Sequence, residues 1–388
     1  MRRFINNTPV SSSAMRKETL LLLTSTAFTL VLAEFVLSWF FPQRTVNQYL
    51  EDRPAMFRAN DILFMDMKPG FEGYLKEEEF RTDVSINSLG YRQAEFSPDR
   101  GAGQRVLVIG DSFTFGYGVE ETDGYVRVME RTLNEQASPP VEAINSGVPA
   151  WWTDAYYLYL KTRGLALKPD VVVLGLFMGN DIDARDARYA IWPEVDDDGL
   201  PLAITSERVR IDGGHRVRSE RRARWKIPVL RNSHLFQLLY SSGKNIGRLF
   251  SPKVQASTLY EATYSAETEA IITKVQKLIL GMAEDAHGIA AQFVVVMIPE
   301  RRQVYPDRES TERALDLAKP HRLFAEFFAG HGIPTVDLLP VMRAAAQTSD
   351  DELYYRKDSH FTRSGYRAAG EAIGRFLLVQ GLVTAPGE

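Results

Sequence analysis

The stretch RVLVIGDSFTFGYGVEE, residues 105–121, runs a short apolar segment directly into a glycine, an acid and a serine. The continuous apolar run at 106–109 is typical of a β-strand buried on both faces. Gly110, Asp111 and Ser112 suit a turn or a helix cap, so a sharp turn is predicted immediately after the strand. Such a turn presents Ser112 at the end of a buried strand.

Similar apolar strands alternate with helical segments along the rest of the chain. This alternation predicts a parallel sheet covered by helices on both faces, with ligands bound beyond the carboxyl ends of the strands. The strands are predicted at 106–109, 141–145, 171–177, 293–298 and 335–337. The helices are predicted at 125–134, 153–161, 266–284 and 311–328, with a last one starting at Thr362 or Arg363.

Polar motifs follow the first three of these strands, and a fourth lies near the C-terminus. They are Ser112, NSGVPAWW at 145–152, GNDID at 179–183, and the segment RKDSH at 356–360. A serine hydroxyl needs a neighbouring base, and an imidazole held by a carboxylate is well matched to that task near neutral pH. Ser112, His360 and Asp358 are therefore candidates for nucleophile, base and orienting acid.

Attack of a serine on an ester creates an oxyanion, which preorganised hydrogen-bond donors must stabilise. The candidate donors are the backbone N–H groups of Ser112 and Gly147 and the side-chain amide of Asn180. The alternative interpretation of Asn145 and Asn180 is that they cap loops, which for Asn145 has at least equal weight. Asp111 is interpreted as a brace for the turn. Asp181 and Asp183 are interpreted as helix-starting acids rather than metal ligands.

Four motifs in this order resemble those of the SGNH hydrolases, also called GDSL-type esterases and lipases. They are GDSFTFG at 110–116, NSGVPA at 145–150, GND at 179–181 and DSH at 358–360. The resemblance implies a flavodoxin-like three-layer sandwich around a parallel sheet of about five strands. It also implies Ser112 as nucleophile, Ser112, Gly147 and Asn180 as oxyanion hole, and His360 as base with Asp358 as its partner.

The last motif departs from the pattern of many of these hydrolases, which have Asp-x-x-His where this chain has Asp358-Ser359-His360. The shorter spacing resembles SGNH-like proteins that O-acetylate exopolysaccharides such as alginate. Phe113 also stands where the best-known members have leucine. Hydrolysis is favoured as the commoner activity implied by the resemblance, and O-acetyl transfer stays open beside it.

Composition excludes several classes of function. The 388 residues carry a net charge of −4, which does not predict a nucleic-acid binder. The chain contains no cysteine, which removes disulfides, thiolate catalysis and cysteine-ligated metals. No cofactor and no metal are predicted. Of the six histidines, His287, His321 and His331 are interpreted as surface residues because they lack an acid at usable spacing.

The N-terminus predicts a membrane segment. Residues 19–41 are 23 almost uniformly apolar residues, longer than the roughly 20 that cross a bilayer as a helix. Basic residues precede them, so a retained signal anchor is predicted, with 1–18 in the cytoplasm and the rest periplasmic or extracellular. Glu34 is the exception within the apolar run. Snorkelling near the outer interface is favoured for it over a partner helix or a function.

Beyond the span, the predicted organisation is a tether at 42–66, a lead-in hairpin at 67–104, and an SGNH hydrolase-like domain at 105–388 with an insertion at about 184–262. Between Glu207 and Arg231 the insertion holds nine Arg and Lys residues against three acids. The pattern is typical either of a solvated face or of a rim that binds an anionic polymer or membrane surface. Arg221, Arg222 and Arg224 are candidates for such binding.

Trp151 and Trp152 are candidates for stacking on a sugar ring, with core packing as the alternative. The sequence as a whole predicts a membrane-anchored serine esterase or deacetylase for an acylated envelope or polysaccharide substrate. The alternatives are an O-acetyltransferase for an exopolysaccharide or cell-wall glycan, and an inactive SGNH-like scaffold. The expected partners are the acyl ester or acylated glycan, the membrane, and a polysaccharide-synthesis or acetyl-donor membrane protein.

Overall fold

The computed structural model forms two compact units, one from residues 1–51 and 221–254, the other from 52–220 and 255–388. Within them, the structure describes residues 12–43, 45, 55–99, 101–182, 191–206, 209–218, 232–250, 258–306, 310 and 315–384.

The second unit holds all of the strands and most of the helices. The strands are β1 Phe57–Asn60, β2 Phe64–Met67, β3 Glu72–Lys76, β4 Arg81–Ser85, β5 Gln104–Ile109, β6 Val141–Asn145, β7 Val171–Phe177, β8 Ile191–Val195, β9 Pro201–Ser206, β10 Val209–Asp212, β11 His215–Arg218, β12 Gln292–Ile298 and β13 Thr335–Asp337. The α-helices within the described residues are α1 Ser12–Phe40, α2 Ser112–Phe115, α3 Tyr125–Asn134, α4 Thr153–Tyr159, α5 His234–Phe250, α6 Ala266–Gly288, α7 Arg301–Val304, α8 Lys319–Gly330, α9 Leu338–Thr348 and α10 Arg363–Val379. Short 3₁₀ turns lie at Glu121–Asp123, Leu165–Leu167 and Thr258–Tyr260, and a π-helical turn at Leu160–Gly164.

The central sheet is parallel and has five strands in the order β13-β12-β7-β5-β6. Read from the other edge, this is the 2-1-3-4-5 order of flavodoxin-like folds. The predicted fold class is therefore confirmed. The five predicted strands are found with shifts of at most two residues at their starts, because uninterrupted apolar runs mark strands that are covered on both faces.

Two hydrophobic cores cover the two faces of the sheet. On one face, Leu107, Ile109 and Leu174 pack with α4, α6 and α8. On the other face, Val106, Val108 and their neighbours pack with α3, α9 and α10. The alternation of side chains along β5 is thus divided between two buried layers, which gives the predicted three-layer sandwich.

The helix predicted at 311–328 differs from the structure. The observed helix α8 begins at Lys319 and carries Pro320 in its first turn, a position that proline tolerates because its missing N–H has no partner there. Residues 315–318 precede it as a turn, and 311–314 lie outside the described residues.

The segment before the sheet is more ordered than the sequence suggests. Residues 57–67 form the antiparallel hairpin β1–β2, although most of them belong to the predicted tether. Leu63, Met65 and Met67 are buried in the core, which explains why this part folds. Strands β3 and β4 form a second antiparallel hairpin inside the predicted lead-in segment.

The first unit contains α1 and α5. Within α1, Arg16–Phe40 is long and apolar enough to cross a membrane, as an anchor or as a signal sequence. The Glu34 carboxylate accepts hydrogen bonds from Ser233 Oγ (2.7 Å), the His234 N–H (2.6 Å) and the Leu235 N–H (2.9 Å). It therefore caps the N-terminus of α5, where free N–H groups favour a negative charge. The partner-helix interpretation of Glu34 replaces the favoured snorkelling one.

Candidate active site

The nucleophile candidate lies on a tight turn between β5 and α2. Asp111 precedes the helix, and its Oδ1 accepts a hydrogen bond from the Phe113 N–H at 2.9 Å, so it caps the first turn. Gly116 ends the helix in the left-handed region with φ 82°. A side chain at Gly110 would collide with Thr114, so only glycine lets the strand turn this closely into the helix.

Three side chains from distant parts of the sequence meet beside this turn. His360 Nε2 lies 2.7 Å from Ser112 Oγ, and His360 Nδ1 lies 2.5 Å from Asp358 Oδ1. The His360 and Asp358 side chains are 20% and 19% exposed, so the pair is open to a substrate yet partly shielded from water. This arrangement is the one that lets an imidazole take a proton from a serine hydroxyl while a carboxylate fixes its tautomer.

The short spacing of the last motif is accommodated by its backbone. Residues 356–358 form a turn, and Ser359 adopts a left-handed conformation with φ 73°, which is uncommon for a residue other than glycine. The bend brings the side chains of Asp358 and His360 together across one intervening residue. Two backbone bonds hold the loop, from the Tyr355 N–H to His360 O (2.9 Å) and from the Ser359 N–H to Tyr355 O (3.2 Å).

Two aromatic rings flank the His360 imidazole. The centroid of Phe113 lies 4.9 Å from that of the imidazole, and the centroid of Tyr117 lies 4.6 Å from it. Phe113 also packs on Phe177 and Phe361 with centroid distances of 4.5 and 4.8 Å. The replacement of leucine by Phe113 is therefore more than a change of packing, since this ring helps to set the orientation of the imidazole.

The predicted oxyanion donors follow β5, β6 and β7, three adjacent strands of the sheet. Gly147 lies against α2, because an added Cβ would collide with the backbone of Thr114 and Phe115. Its N–H donates to Asn145 Oδ1 at 3.0 Å, which shows Asn145 acting as a loop cap. The Ser112 N–H faces the Asp111 carboxylate. In this structure, two of the proposed donors therefore already have partners.

Asn180 is exposed, in the turn that follows β7. Asp181, beside it, is buried and holds that turn: its Oδ2 accepts from the Phe177 N–H at 2.8 Å, and its Oδ1 bonds to Tyr156 Oη at 2.8 Å. Asp181 thus holds the turn after β7, and the helix that it is predicted to start falls on residues 183–190, outside the described residues. Asp183 lies outside the described residues.

Burial changes the acidity of the two carboxyl groups beneath the site. Burial raises the pKa of Asp111, and the hydrogen bond from the Phe113 N–H and the nearby His360 act in the opposite direction. Burial and the charge of Asp111 raise the pKa of Asp181 well above its ordinary value. The pKa of Asp181 is therefore raised more strongly than that of Asp111.

The two tryptophans differ in their surroundings. Trp151 is 1% exposed, and its Nε1–H donates to Met65 O at 3.0 Å, so neither ring face is open to a sugar. The predicted role of Trp151 in substrate binding is corrected to core packing. Trp152 is half-buried, and its Nε1–H donates to Asp154 Oδ2 at 2.9 Å. Arg221, Arg222 and Arg224 lie outside the described residues, and their role stays a prediction.

His321 is not the surface residue that its sequence context suggests. It is buried, and its Nδ1 lies 2.6 Å from Asp337 Oδ1. Asp337 is 16 residues away in sequence, at the end of β13, where only the fold brings it to His321. Among the described residues, no group of three or more His, Cys, Asp or Glu side chains is placed to hold a metal ion.

Two residues outside the four motifs also stabilise the site, and the sequence did not predict their role. Arg92, which is buried, donates to the carbonyl oxygens of Phe115 (3.1 Å), Gly116 (2.7 Å) and Val119 (2.8 Å) and thereby ties off the C-terminal end of α2. Glu79 accepts from the backbone of the loop that carries Asp358. No local pattern marks either residue, because their partners are brought near only by the fold.

Comparison with known proteins finds a family match for the C-terminal part of the chain. Residues 253–387, which include Asp358 and His360, match the family model described as SGNH hydrolase-like domain, acetyltransferase AlgX. The match agrees with the resemblance to SGNH hydrolases at the last of the four motifs, and the other three motifs lie outside the matched residues. No curated protein sequence matches the chain.

Two of the solved structures to which the chain is similar are a lipase/acylhydrolase and an acetylxylan esterase. The lipase/acylhydrolase from Enterococcus faecalis is 16% identical, with 74% of this chain and 100% of the other covered and a TM-score of 0.37. A catalytic mutant of Axe2, an acetylxylan esterase from Geobacillus stearothermophilus, is 13% identical, with 72% and 95% covered and a TM-score of 0.40.

Proposed function

We propose that this protein is a serine-dependent acyl-ester hydrolase that acts on an acylated envelope or polysaccharide substrate. The observation that carries the proposal is the continuous contact from Ser112 Oγ through the His360 imidazole to Asp358 Oδ1, at 2.7 and 2.5 Å. A chain of serine, imidazole and carboxylate at these distances is the arrangement that activates a hydroxyl toward an ester carbonyl.

The first half of the reaction forms an acyl-enzyme. Ser112 Oγ attacks the ester carbonyl carbon while His360 Nε2 takes the hydroxyl proton, and Asp358 stabilises the imidazolium. The tetrahedral oxyanion is received by the donors proposed at Ser112, Gly147 and Asn180, each worth about 3 to 4 kcal/mol by analogy with measured cases. To do so, the N–H groups of Ser112 and Gly147 must leave their present partners, the Asp111 carboxylate and Asn145 Oδ1. When the bond to the leaving alcohol breaks, His360 returns the proton to that oxygen.

The second half transfers the acyl group to an acceptor. Water loses a proton to His360 Nε2 as its oxygen attacks the acyl-enzyme carbonyl. Collapse of the second tetrahedral intermediate releases the carboxylic acid, and the proton returns to Ser112 Oγ. The enzyme ends the cycle unchanged, so water as acceptor makes it an esterase or deacetylase.

A sugar hydroxyl as acceptor gives the second candidate, an O-acetyltransferase for an exopolysaccharide or cell-wall glycan. Two observations favour it. The matching family model is that of the acetyltransferase AlgX, and the match covers the Asp358-Ser359-His360 motif whose spacing resembles such proteins. The chemistry up to the acyl-enzyme is common to both candidates, and only the acceptor differs.

The proposed location is the outer side of the cytoplasmic membrane, with residues 19–41 as a single-pass anchor. The apolar helix Arg16–Phe40 supports this placement by its length and composition. A membrane protein that supplies acetyl groups, or one that synthesises the polysaccharide, is the proposed partner. The basic insertion with Arg221, Arg222 and Arg224 is the proposed contact for an anionic polymer.

The test uses the full chain in detergent micelles, with an aryl acetate as substrate and a serine-directed phosphonate as label. The wild type is expected to release acetate and to be labelled, and Ser112→Ala is expected to do neither. Acetylated oligosaccharide, formed when oligosaccharide is added, would favour the transferase over the hydrolase. Absence of both turnover and labelling in the wild type would leave the inactive scaffold as the better interpretation.

A further inference from the structure

We propose that Glu79 is a positioning residue for the Asp358–His360 pair, and that the hairpin β3–β4 is a working part of the active site. The inference rests on the proposed function, since it concerns the same site. Glu79 lies in the turn between β3 and β4, and 279 residues separate it from Asp358 in the sequence. It touches neither Ser112 nor His360, so its effect on the chemistry is exerted through the loop.

The carboxylate of Glu79 accepts hydrogen bonds from three consecutive backbone N–H groups of the loop that carries Asp358 and His360. Its Oε1 accepts from the Arg356 N–H at 2.9 Å, and its Oε2 accepts from the Lys357 N–H at 2.7 Å and the Asp358 N–H at 3.0 Å. These groups donate to a side chain rather than to a backbone carbonyl. The acceptors for these three N–H groups are thus supplied by the Glu79 carboxylate and not by the backbone of the turn.

The loop needs such support because its conformation is uncommon. A left-handed residue other than glycine costs roughly 1 to 2 kcal/mol, and Ser359 is such a residue with φ 73°. This bend gives the Asp358 carboxylate its 2.5 Å contact with His360. If residues 356–358 relax, the carboxylate moves away from the imidazole, and a displacement of about 1 Å can cost about 100-fold in rate.

Neighbouring contacts fix the hairpin against both ends of the site. Phe80, next to Glu79, packs on Tyr355 with a centroid distance of 4.8 Å and on Tyr117 with one of 5.7 Å. Tyr117 lies against the His360 ring, and Tyr355 Oη donates to Gly118 O at 2.8 Å. The hairpin therefore contacts both the loop that carries Asp358 and His360 and the segment that follows helix α2.

Backbone hydrogen bonds keep Glu79 ionised at neutral pH. Burial raises the pKa of Glu79, but the hydrogen bonds from the Asp358, Lys357 and Arg356 N–H groups outweigh it, so that its pKa lies below the ordinary value. The nearby negative charge of Asp358 acts in the same direction as burial. The other ionisable groups of this surface are Glu77, Glu78, Glu352 and Tyr355, with the side chains of Arg356 and Lys357.

Glu78 offers a matched control. It is the adjacent acid of the same turn and forms an ion pair with the Lys357 side chain, both partners being largely exposed. An exposed pair of this kind contributes little to stability. The variant Glu78→Gln removes the same charge from the same turn, yet leaves the three backbone contacts of Glu79 in place.

The experiment measures kcat, KM and the rate of phosphonate labelling for the full chain in detergent. Glu79→Gln is expected to lower kcat and the labelling rate about 10-fold or more, with KM within about twofold, because substrate binding does not involve this residue. Glu79→Asp, which keeps the carboxylate, is expected to recover part of the loss. Glu78→Gln is expected to match the wild type.

A purely structural role predicts a different pattern. In that case Glu79→Gln lowers the unfolding temperature, while kcat and the labelling rate of the folded protein stay at wild-type values, and this result overturns the inference. Faster amide hydrogen exchange at residues 356–358 in Glu79→Gln, compared with Glu78→Gln, is the expected sign of the released loop. If wild type and Ser112→Ala react alike with the phosphonate, the proposed function itself fails.

Discussion

His360 Nε2 lies 2.7 Å from Ser112 Oγ, although 248 residues separate the two in the sequence. The serine belongs to the turn after β5, and the histidine to the loop before α10. Each is fixed by its own neighbours: Asp111 caps the serine turn, and the rings of Phe113 and Tyr117 flank the imidazole. The contact between Ser112 and His360 therefore depends on how these two parts of the structure are held together.

Removing the charge of Asp358 is predicted to slow the reaction strongly. Asp358→Asn offers an amide to His360 Nδ1 and can stabilise the wrong tautomer, so we expect kcat for an aryl acetate to fall by about 10⁴-fold. Asp350→Asn removes an exposed acid eight residues earlier and should leave kcat unchanged. A kcat for Asp358→Asn within tenfold of wild type would contradict the assigned role.

The left-handed residue in the catalytic loop gives a prediction about stability. Ser359→Gly removes the steric cost of φ 73° but adds unfolded-state entropy, so the net gain in the free energy of unfolding is expected to be about 0 to 1 kcal/mol. Ser359→Val, a β-branched side chain at the same φ, should destabilise the protein. Chemical denaturation measures both, and a stabilised valine variant would argue against this loop conformation.

Arg92 is predicted to be essential for the folded nucleophile turn. Burial lowers the pKa of its guanidinium to about 10, so it remains charged at neutral pH while donating to backbone carbonyls. Arg92→Met leaves the oxygens of Phe115, Gly116 and Val119 without this donor, at a cost of about 1 to 3 kcal/mol for each buried group. We expect a loss of at least about 3 kcal/mol in unfolding experiments.

The exposed Arg58 is a control for that variant. Its guanidinium is paired with the buried Asp66, but its own side chain is 45% exposed, and Asp66 keeps a second partner in Arg163. Arg58→Met is therefore expected to cost less than Arg92→Met, because it leaves no buried group without a partner. Equal losses for Arg92→Met and Arg58→Met would show that the contacts of Arg92 with α2 carry no special weight.

Asp181 is predicted to make the stability depend on pH. Burial and the charge of Asp111 raise its pKa, so the folded state keeps a proton that the unfolded state loses above about pH 4. The folded state then binds more protons, and the free energy of unfolding falls as pH rises through that range. Asp181→Asn resembles the protonated acid and lacks this dependence.

Thermal unfolding at several pH values tests this. The unfolding temperature of Asp181→Asn, relative to wild type, is expected to increase as the pH rises above about 4, the ordinary pKa of an aspartate. Asp181→Ala should be less stable than wild type, because the Phe177 N–H and Tyr156 Oη lose their partner. A pH-independent difference between wild type and Asp181→Asn would contradict the raised pKa.

Glu34 is predicted to hold α1 and α5 together. In a chain without cysteine, Ser38→Cys and Phe236→Cys introduce a pair of thiols that a short bismaleimide can join. Glu34→Ala removes the acceptor of three hydrogen bonds at the start of α5 and should lower the yield of the cross-link several-fold. Glu18→Ala, an exposed acid of the same helix, should not; equal yields would refute the pairing.

The sheet was predictable because each of its strands is a local signal. An uninterrupted apolar run such as Val171–Phe177 indicates a strand that is buried on both faces. The polar motifs that follow three such runs indicate the edge of the sheet where ligands are expected to bind. Ser112, His360 and Asp358 were found through this local logic and through the resemblance of their motifs. Their contact could be expected from chemistry, because a serine nucleophile needs a base and an imidazole base needs a carboxylate that fixes its tautomer.

Residues whose importance depends on distant partners were not predictable. Glu79 and Arg92 act on backbone groups, which carry no signature in the sequence of either partner. The prediction that Trp151 stacks on a sugar ring was wrong, because the sequence after a motif does not show whether an aromatic side chain faces solvent or the core. His321 was misjudged because its acid, Asp337, becomes a neighbour only when α8 packs beside β13.

The distance in sequence between Ser112 and His360 also sets when the site can form. A ribosome that has just added Ser112 must add 248 further residues before the base exists, and α10, which follows His360, has to be made before its loop is anchored at both ends. The nascent chain therefore carries the proposed nucleophile without its proposed base while these 248 residues are added. Ser112 can be activated by His360 only after that loop is in place.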